Sequence, residues 1–115
     1  MNKKMPSDMN FNGFKNIDVA ELPAMMEQGG VRLVDVRTDA EVARGKIPQG
    51  ESLPLHLLPM RLSEMDKNST TVFYCQMGGR SAQAAAYAVA NGFVDVYNLQ
   101  GGIAAWMQAG LPIEP

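Results

Sequence analysis

The sequence predicts an α/β fold with a mostly parallel central sheet and helices on both faces. Three observations support this prediction. Apolar, β-branched runs typical of strands alternate with helix-like runs along most of the chain. Glycines or prolines separate these runs, and no internal repeat or linker interrupts the 115 residues. Because strands that alternate with helices pair in parallel through crossovers, we expect one domain whose helices cover the sheet.

The first half of the chain contains two helix starts with capping residues. Asp18 is followed three residues later by Glu21, which is typical of a capping box, and Gly29 ends the predicted helix. The apolar run 31–36 is predicted as a strand. The segment Thr38–Glu41 then marks the start of a second capped helix.

The remaining segments continue the same alternation. A turn rich in glycine and proline precedes a short extended piece, and further strand-like runs are then each followed by a helix. The predicted segments are the turn 45–50, the extended piece 52–55, the helix 57–65, the strand 70–74, the helix 81–91, the strand 94–99 and the helix 103–107.

The N-terminal residues differ in composition from the rest of the chain. Residues 1–15 are mostly polar and include a proline and a glycine, so we predict a flexible tail there and a folded domain over 16–115. The two lysines near the start are not followed by the apolar segment of a signal peptide. The single cysteine, which cannot form an intrachain disulfide, makes a reduced, cytoplasmic location the expectation.

Composition argues against several classes of function. The 10 basic and 12 acidic residues are interspersed, without the basic stripe expected of a nucleic-acid-binding protein. The longest apolar run, 84–90, is far too short to span a membrane. One cysteine and one histidine give no intrachain disulfide and no plausible zinc or iron–sulfur ligand set, so we expect no cofactor and no metal.

The most informative segment is the loop that begins at Cys75, the only cysteine, between the predicted strand 70–74 and the following helix. Two glycines allow this loop to turn tightly and expose its amides, and Arg80 adds a permanent positive charge. Amides, helix dipole and guanidinium all favour an anion, and the Cys75 thiolate is the candidate. A lone cysteine is otherwise most often an inert core residue.

Asp35 and Arg37 allow two interpretations. They could support the cysteine loop from the neighbouring strand end. The structural interpretation, which we favour, pairs Arg37 with Glu41 across a turn and has Asp35 accept backbone hydrogen bonds, because most such groups bond to backbone.

Four segments in order resemble the single-domain rhodanese sulfurtransferase family, over roughly 17–112. They are 33–41 (LVDVRTDAE), 45–48 (GKIP), 72–81 (VFYCQMGGRS) and 96–106 with 110–112. The chain departs from the family's usual pattern at Lys46, where histidine is common, and at Gln49-Gly50, where Gly-Ala is usual. Any single segment is weak evidence for the family, but the order and spacing of all four make the resemblance specific.

The resemblance implies a rhodanese-like fold and a two-stage sulfur transfer. Cys75 would be the nucleophile and would carry a persulfide, taking sulfur from thiosulfate or a persulfide donor and giving it to cyanide or a thiol, which could belong to a partner protein. The substrate-binding loop would comprise Gln76, Met77, Gly78, Gly79, Arg80 and Ser81. Its amides would stabilise the sulfur anion and its arginine would attract anionic donors.

Three alternatives share this loop or this fold. A phosphatase or arsenate reductase would place five residues between cysteine and arginine, whereas four stand between Cys75 and Arg80 here. A non-catalytic binding module of this fold typically lacks the cysteine. A persulfide carrier that relays sulfur between proteins would use the same chemistry, and the sequence does not separate it from an enzyme that consumes thiosulfate.

Overall fold

The computed structural model describes residues 13–115, and they form an α/β domain around a five-stranded sheet in the order β1-β5-β4-β2-β3. Every pairing between neighbouring strands is parallel. The strands are β1 Lys15–Ile17, β2 Val31–Asp35, β3 Glu51–Ser52, β4 Thr70–Tyr74 and β5 Asp95–Leu99. The predicted fold class is confirmed.

Helices cover both faces of this sheet. Buried residues of α1 and α5 pack on one face, and those of α3 and α4 pack on the other. The helices are α1 Leu22–Gln28, α2 Asp39–Val42, α3 Leu58–Arg61, α4 Gly79–Ala90 and α5 Gly102–Gln108. The helix predicted over 57–65 is a shorter α-helix between two 3₁₀ turns. No helix within residues 13–115 combines the length and apolarity needed to cross a bilayer.

The central strand β4 divides the core into its two layers. Val72 and Tyr74 point to the layer that contains α1 and α5, whereas Phe73 and Cys75 point to the layer that contains α4. This alternation follows from the two-residue period of a strand. All four side chains are at most 1% exposed, so the end of β4 is rigidly held.

The strand β1 was not predicted from the sequence. Lys15–Ile17 pairs with β5 at the edge of the sheet, and Phe14 before it is only 1% exposed. The folded part of the chain therefore includes Phe14 and Lys15, which the sequence assigned to the tail. Residues 1–12 of that predicted tail lie outside the described residues.

Both predicted helix starts show the hydrogen bonds of a capping box, although the sequence predicted a box only for Asp18 and Glu21. The Thr38 hydroxyl accepts from the Glu41 amide, and the Glu41 carboxylate accepts from the Thr38 amide, at the start of α2. Asp18 and Glu21 exchange the same pair of hydrogen bonds. Residues 19–21 form a turn there, and α1 itself begins at Leu22.

Candidate functional site

Cys75 directly follows the central strand, at the carboxyl edge of the sheet. Gly78 then adopts a φ of 109°, in the region that favours glycine, and α4 begins at Gly79. The loop 76–78 therefore curls around the sulfur, and Cys75 is only 1% exposed. Ligands of open parallel sheets bind at this edge, so the fold places the cysteine where a site is expected.

Two backbone amides and one hydroxyl surround the Cys75 sulfur. Sγ accepts from the Gly78 amide at 3.1 Å and from the Ser81 amide at 3.4 Å. The Ser81 hydroxyl lies 3.4 Å from the same sulfur. Burial opposes ionisation of this thiol, but the hydrogen bonds outweigh it and lower the pKa of Cys75 below its ordinary value. The loop thus favours a thiolate.

The first residues of α5 hold the cysteine loop from behind. The carbonyl oxygens of Cys75 and Gln76 accept from the amides of Ile103 and Ala104, each at 3.0 Å. Gly102 makes this approach possible, because a Cβ there would lie 2.5 Å from both carbonyl oxygens. These contacts turn the carbonyls outward and leave the loop amides free to face the sulfur.

Arg80 is engaged in an ion pair with Glu41. Its two terminal nitrogens donate to the two carboxylate oxygens at 2.7 and 2.9 Å, which joins α4 to α2. The guanidinium, helped by the Thr38 amide, lowers the pKa of Glu41 to about 2. Glu41 thus balances the positive charge of Arg80, which the sequence predicted to favour an anion in the loop.

Asp35 and Arg37 form a buried ion pair beside the loop. The guanidinium donates to Asp35 at 2.8 Å and to the Gly45 carbonyl at 2.8 Å, and the Arg37 amide also donates to Asp35. Asp35 therefore accepts a backbone hydrogen bond, as predicted. Arg37 also reaches the Gln76 side chain at 3.5 Å, so it touches the loop.

The predicted pairing of Arg37 with the Glu41 side chain is wrong. The Glu41 carboxylate is bound to Arg80, and Arg37 contacts only the Glu41 backbone carbonyl, at 3.4 Å. The reason is that α4 brings Arg80 to the exposed side of α2, while the buried Asp35 attracts the Arg37 guanidinium inward.

The outer side of the loop faces an open cavity. A cavity of about 350 Å³ lies beside Gln76 and is lined also by Arg44, Met107 and Ile113. Met77, the next loop residue, is 72% exposed. A larger cavity of about 460 Å³, next to α1, contains none of the predicted site residues.

Asn98 belongs to the site although sequence reasoning did not select it. The Ser81 hydroxyl donates to Asn98 Oδ1 at 2.6 Å, and Asn98 Nδ2 lies 3.4 Å from the Gly78 carbonyl. Asn98 is 5% exposed on β5. Its signal in the sequence is an amide side chain next to the carboxyl end of a strand, between Tyr97 and Leu99.

The described residues offer no evident metal site. Within residues 13–115, no three histidine, cysteine, aspartate or glutamate side chains converge as metal ligands.

The fold and the loop together define a class of α/β proteins in which a buried cysteine sits in an amide-lined loop at the carboxyl edge of a parallel sheet. The model of the rhodanese-like domain matches residues 18–109. The chain belongs to the rhodanese-like family, as the sequence predicted.

Two relatives and two solved structures illustrate this membership. A sulfurtransferase of Allochromatium vinosum is 53% identical over 83 residues, covering 72% of this chain and 78% of that protein. The thiosulfate sulfurtransferase GlpE of Pseudomonas syringae is 39% identical, covering 81% of this chain and 87% of that protein. A rhodanese-like domain protein from Staphylococcus aureus superposes with a TM-score of 0.77 at 39% identity, covering 89% of this chain and 100% of that chain. A Rhodopseudomonas palustris protein, described as a possible tyrosine phosphatase, superposes with a TM-score of 0.79 at 32% identity, covering 88% and 85%.

Proposed function

We propose that this protein is a sulfurtransferase that moves sulfane sulfur through a persulfide on Cys75. The observation that carries the proposal is the pair of amides, from Gly78 and Ser81, that point at the Cys75 sulfur. Donors placed in this way stabilise negative charge on sulfur without reorganising during the reaction. Membership of a family whose named relatives are sulfurtransferases supports the same chemistry.

The reaction proceeds in two displacement steps. The Cys75 thiolate attacks the outer sulfur of thiosulfate, a new S–S bond forms, and sulfite leaves with the electron pair of the broken bond. An acceptor, cyanide or a thiolate, then attacks the terminal sulfur and releases the Cys75 thiolate. A persulfide donor loads the same cysteine with release of its thiolate. Neither step needs an outside oxidant or a cofactor.

Intact mass measurement tests the loading step. The protein is incubated with thiosulfate, and separately with a persulfide donor, and we expect a gain of one sulfur atom that cyanide then removes. Cys75→Ser is the control, because it replaces the only thiol by a residue of nearly the same size. Sulfur transfer by the Cys75→Ser protein at the unmodified rate would overturn the proposal.

An aryl phosphate is the second substrate in this assay, because it tests the phosphatase alternative. Only four residues separate Cys75 from Arg80. We expect such a loop to surround a sulfur atom rather than a tetrahedral phosphate, and therefore to give no efficient phosphate hydrolysis. Efficient hydrolysis without persulfide formation would replace the sulfurtransferase proposal by the phosphatase alternative.

A second candidate function is the relay of sulfur to a partner protein. Met77 in the loop is 72% exposed and Met107, on the cavity beside Gln76, is 55% exposed. Exposed methionines are frequent on surfaces that bind varied partners. In this case persulfide-loaded protein would transfer its sulfur faster to a protein thiol than to cyanide, and Met77→Ser would slow only the first transfer. Equal slowing of both transfers would contradict a relay role for Met77.

A further inference from the structure

The Ser81 hydroxyl has one proton and two possible acceptors. Asn98 Oδ1 lies 2.6 Å from the hydroxyl oxygen, a short hydrogen bond, whereas Cys75 Sγ lies 3.4 Å away. One proton can make a short, well-aligned hydrogen bond to only one of these acceptors at a time. When Cys75 is a thiol, its S–H can donate to the Ser81 oxygen, and all three groups are satisfied. When Cys75 ionises, the thiolate and Asn98 compete for the hydroxyl proton.

The contacts on the other end of the amide fix Asn98 as an acceptor toward Ser81. Asn98 Nδ2 lies 3.4 Å from the Gly78 carbonyl oxygen and 3.3 Å from Asn16 Oδ1. A flipped amide would place its oxygen against the Gly78 carbonyl, which has no proton to donate. The oxygen of Asn98 therefore faces the Ser81 hydroxyl.

We infer that Asn98 is a positioning residue that keeps the Ser81 hydroxyl proton on its own oxygen and away from the Cys75 thiolate. The sulfur anion is then stabilised mainly by backbone amides of the loop, of which those of Gly78 and Ser81 lie 3.1 and 3.4 Å from Sγ. A less stabilised thiolate is a stronger nucleophile, because nucleophilicity falls as thiol pKa falls. This inference rests on the proposed function of Cys75 as the nucleophile.

The same arrangement suits the loaded state. In the persulfide the charge lies on the terminal sulfur, and Cys75 Sγ, now bonded to two atoms, is a poor acceptor. The Ser81 hydroxyl keeps its bond to Asn98 through the cycle, so no donor near Sγ must rotate between the two steps. Asn98 thus keeps the loop's hydrogen bonds constant while the charge moves along the S–S bond.

Two cations beside the loop are paired with carboxylates, and Arg44 lies further out on the cavity beside Gln76. Arg80 faces Cys75 from α4 and is bound to Glu41 of α2. Arg37, which reaches the loop at Gln76, is bound to Asp35 at the end of β2. Because the uncharged Asn98 side chain makes its hydrogen bonds with Ser81, Asn16 and Gly78, a change there should act on Cys75 through Ser81 and not through these charges.

The test is the pH dependence of Cys75 alkylation by iodoacetamide in a double-mutant cycle. Asn98→Ala frees the Ser81 hydroxyl to donate to the thiolate, and we expect the apparent pKa of Cys75 to fall by about half to one unit. The rate at high pH should fall by about twofold to threefold with it, as thiolate nucleophilicity follows pKa. In the Ser81→Ala background, Asn98→Ala should change neither quantity.

Two controls separate positioning from a structural effect. Asn16→Ala removes a partner of the Asn98 amide nitrogen but leaves the acceptor oxygen in place, so we expect an unchanged alkylation profile. Thermal unfolding checks that each variant folds. If Asn98→Ala does not fold, Asn98→Ser, whose side chain is one bond shorter, provides the same comparison.

Three results would overturn the inference. One is a rise in the apparent pKa in Ser81→Ala alone, because the hydroxyl would then already serve the thiolate. The second is a rise or no change in Asn98→Ala, and the third is an equal effect of Asn98→Ala with and without Ser81. Alkylation needs no sulfur donor, so these outcomes are distinct from a failure to form the persulfide.

Discussion

At the scale of single residues, the Cys75 sulfur receives its hydrogen bonds from uncharged groups. The amides of Gly78 and Ser81 reach Sγ, whereas the Arg80 guanidinium binds Glu41. Stabilisation of the thiolate by amides is independent of salt and of the donor's charge. Recognition of an anionic donor, by contrast, depends on how much of the Arg80 charge remains available beside Glu41.

Glu41→Gln should improve the use of anionic donors. The amide removes the charge that balances Arg80, while glutamine still fits the capping box with Thr38. We expect KM for thiosulfate to fall by up to about fivefold, since a partly exposed ion pair is worth ~0.2–1 kcal/mol. Steady-state kinetics with thiosulfate and with an uncharged organic polysulfide provide the measurement.

The matched control for that prediction is Arg80→Ala. It should raise KM for thiosulfate and leave the uncharged donor nearly unaffected, because Cys75 and its amides remain in place. In the Arg80→Ala background, Glu41→Gln should lower KM for thiosulfate only because it removes the repulsion between the Glu41 carboxylate and the thiosulfate anion. Equal responses of the two donors to Glu41→Gln would contradict a role for this pair in donor recognition.

At the scale of elements, local signals made much of the site predictable. The β-branched strand 70–74, the glycines after Cys75 and the alanine-rich helix lie next to one another in the sequence, and the structure places them as predicted apart from small shifts in bounds. The capping box from Thr38 to Glu41 also involves only neighbouring residues. Spacing was not sufficient for Arg37, four residues before Glu41, because the Glu41 carboxylate binds Arg80 of a distant helix instead.

Contacts between distant elements could not be predicted in this way. The Arg80–Glu41 pair joins residues 39 apart and the Ser81–Asn98 bond joins residues 17 apart, so each depends on how helices and strands dock. The strand Lys15–Ile17 is too short to show an alternating pattern, and its pairing with β5 gives it its conformation. Sequence patterns identify elements better than they identify the partners that elements bring together.

Gly102→Ala should disrupt the cysteine loop, because Gly102 lies against the loop backbone. The new Cβ would lie 2.5 Å from the carbonyl oxygens of Cys75 and Gln76, at a φ of 60°. We expect a loss of at least about 2 kcal/mol in the free energy of unfolding, from backbone strain and the clash together. The pKa of Cys75 should also rise as the loop amides move away, and denaturant unfolding and alkylation measure the two effects.

Gly110→Ala separates strain from contact in that experiment. Gly110 has a φ of 76°, but nothing lies within 4 Å of a Cβ built there. It should therefore show only the cost of the left-handed conformation, and its alkylation profile should not change. If Gly110→Ala affects Cys75 as much as Gly102→Ala does, contact with the loop is not the cause.

The turn before β3 contains strain that a substitution should relieve. Gln49 is an exposed residue with a φ of 74°. This backbone conformation is energetically unfavourable for most residues other than glycine. Gln49→Gly should raise the free energy of unfolding by about 0.5–1 kcal/mol, part of the gain being offset by the added freedom of the unfolded chain. Urea unfolding measures this change.

The neighbouring glycine provides the opposite control. A Cβ at Gly50 would meet the Tyr74 hydroxyl at 3.0 Å and the Ile47 carbonyl at 3.1 Å. Gly50→Ala should therefore lower the free energy of unfolding, while Gln49→Gly raises it. A loss of stability in Gln49→Gly would mean that the Gln49 side chain contributes more than its backbone strain costs.

At the scale of the whole molecule, the two ends of the parallel sheet have different roles. The carboxyl edge carries Cys75 and the buried pair of Asp35 with Arg37. At the opposite edge, Asp95 accepts from the Thr70 hydroxyl at 2.6 Å and from Lys15 at 3.1 Å. This cluster joins β1, β5 and β4 and has no contact with the cysteine loop, so it should affect stability and not reactivity.

Asp95→Asn should reduce stability near neutral pH and have little effect in acid. Burial opposes the charge of Asp95, but the hydrogen bonds from Thr70 and Lys15 outweigh it and hold its pKa below the ordinary value. A carboxylate with a lowered pKa stabilises the fold above its unfolded pKa, and that contribution is lost as pH falls through the folded pKa.

Because the pair of Asp95 with Lys15 is partly exposed, we expect Asp95→Asn to lower the free energy of unfolding by no more than about 1 kcal/mol at about pH 7. The difference from the unmodified protein should shrink as pH falls below the unfolded pKa of Asp95, because the carboxyl in the folded chain then loses its charge by protonation. Urea unfolding over a series of acidic pH values measures this, with Lys15→Met as the second arm of a double-mutant cycle. The alkylation profile of Cys75 should be the same in all of these proteins, and a shifted profile in Asp95→Asn would contradict the separation of the two edges.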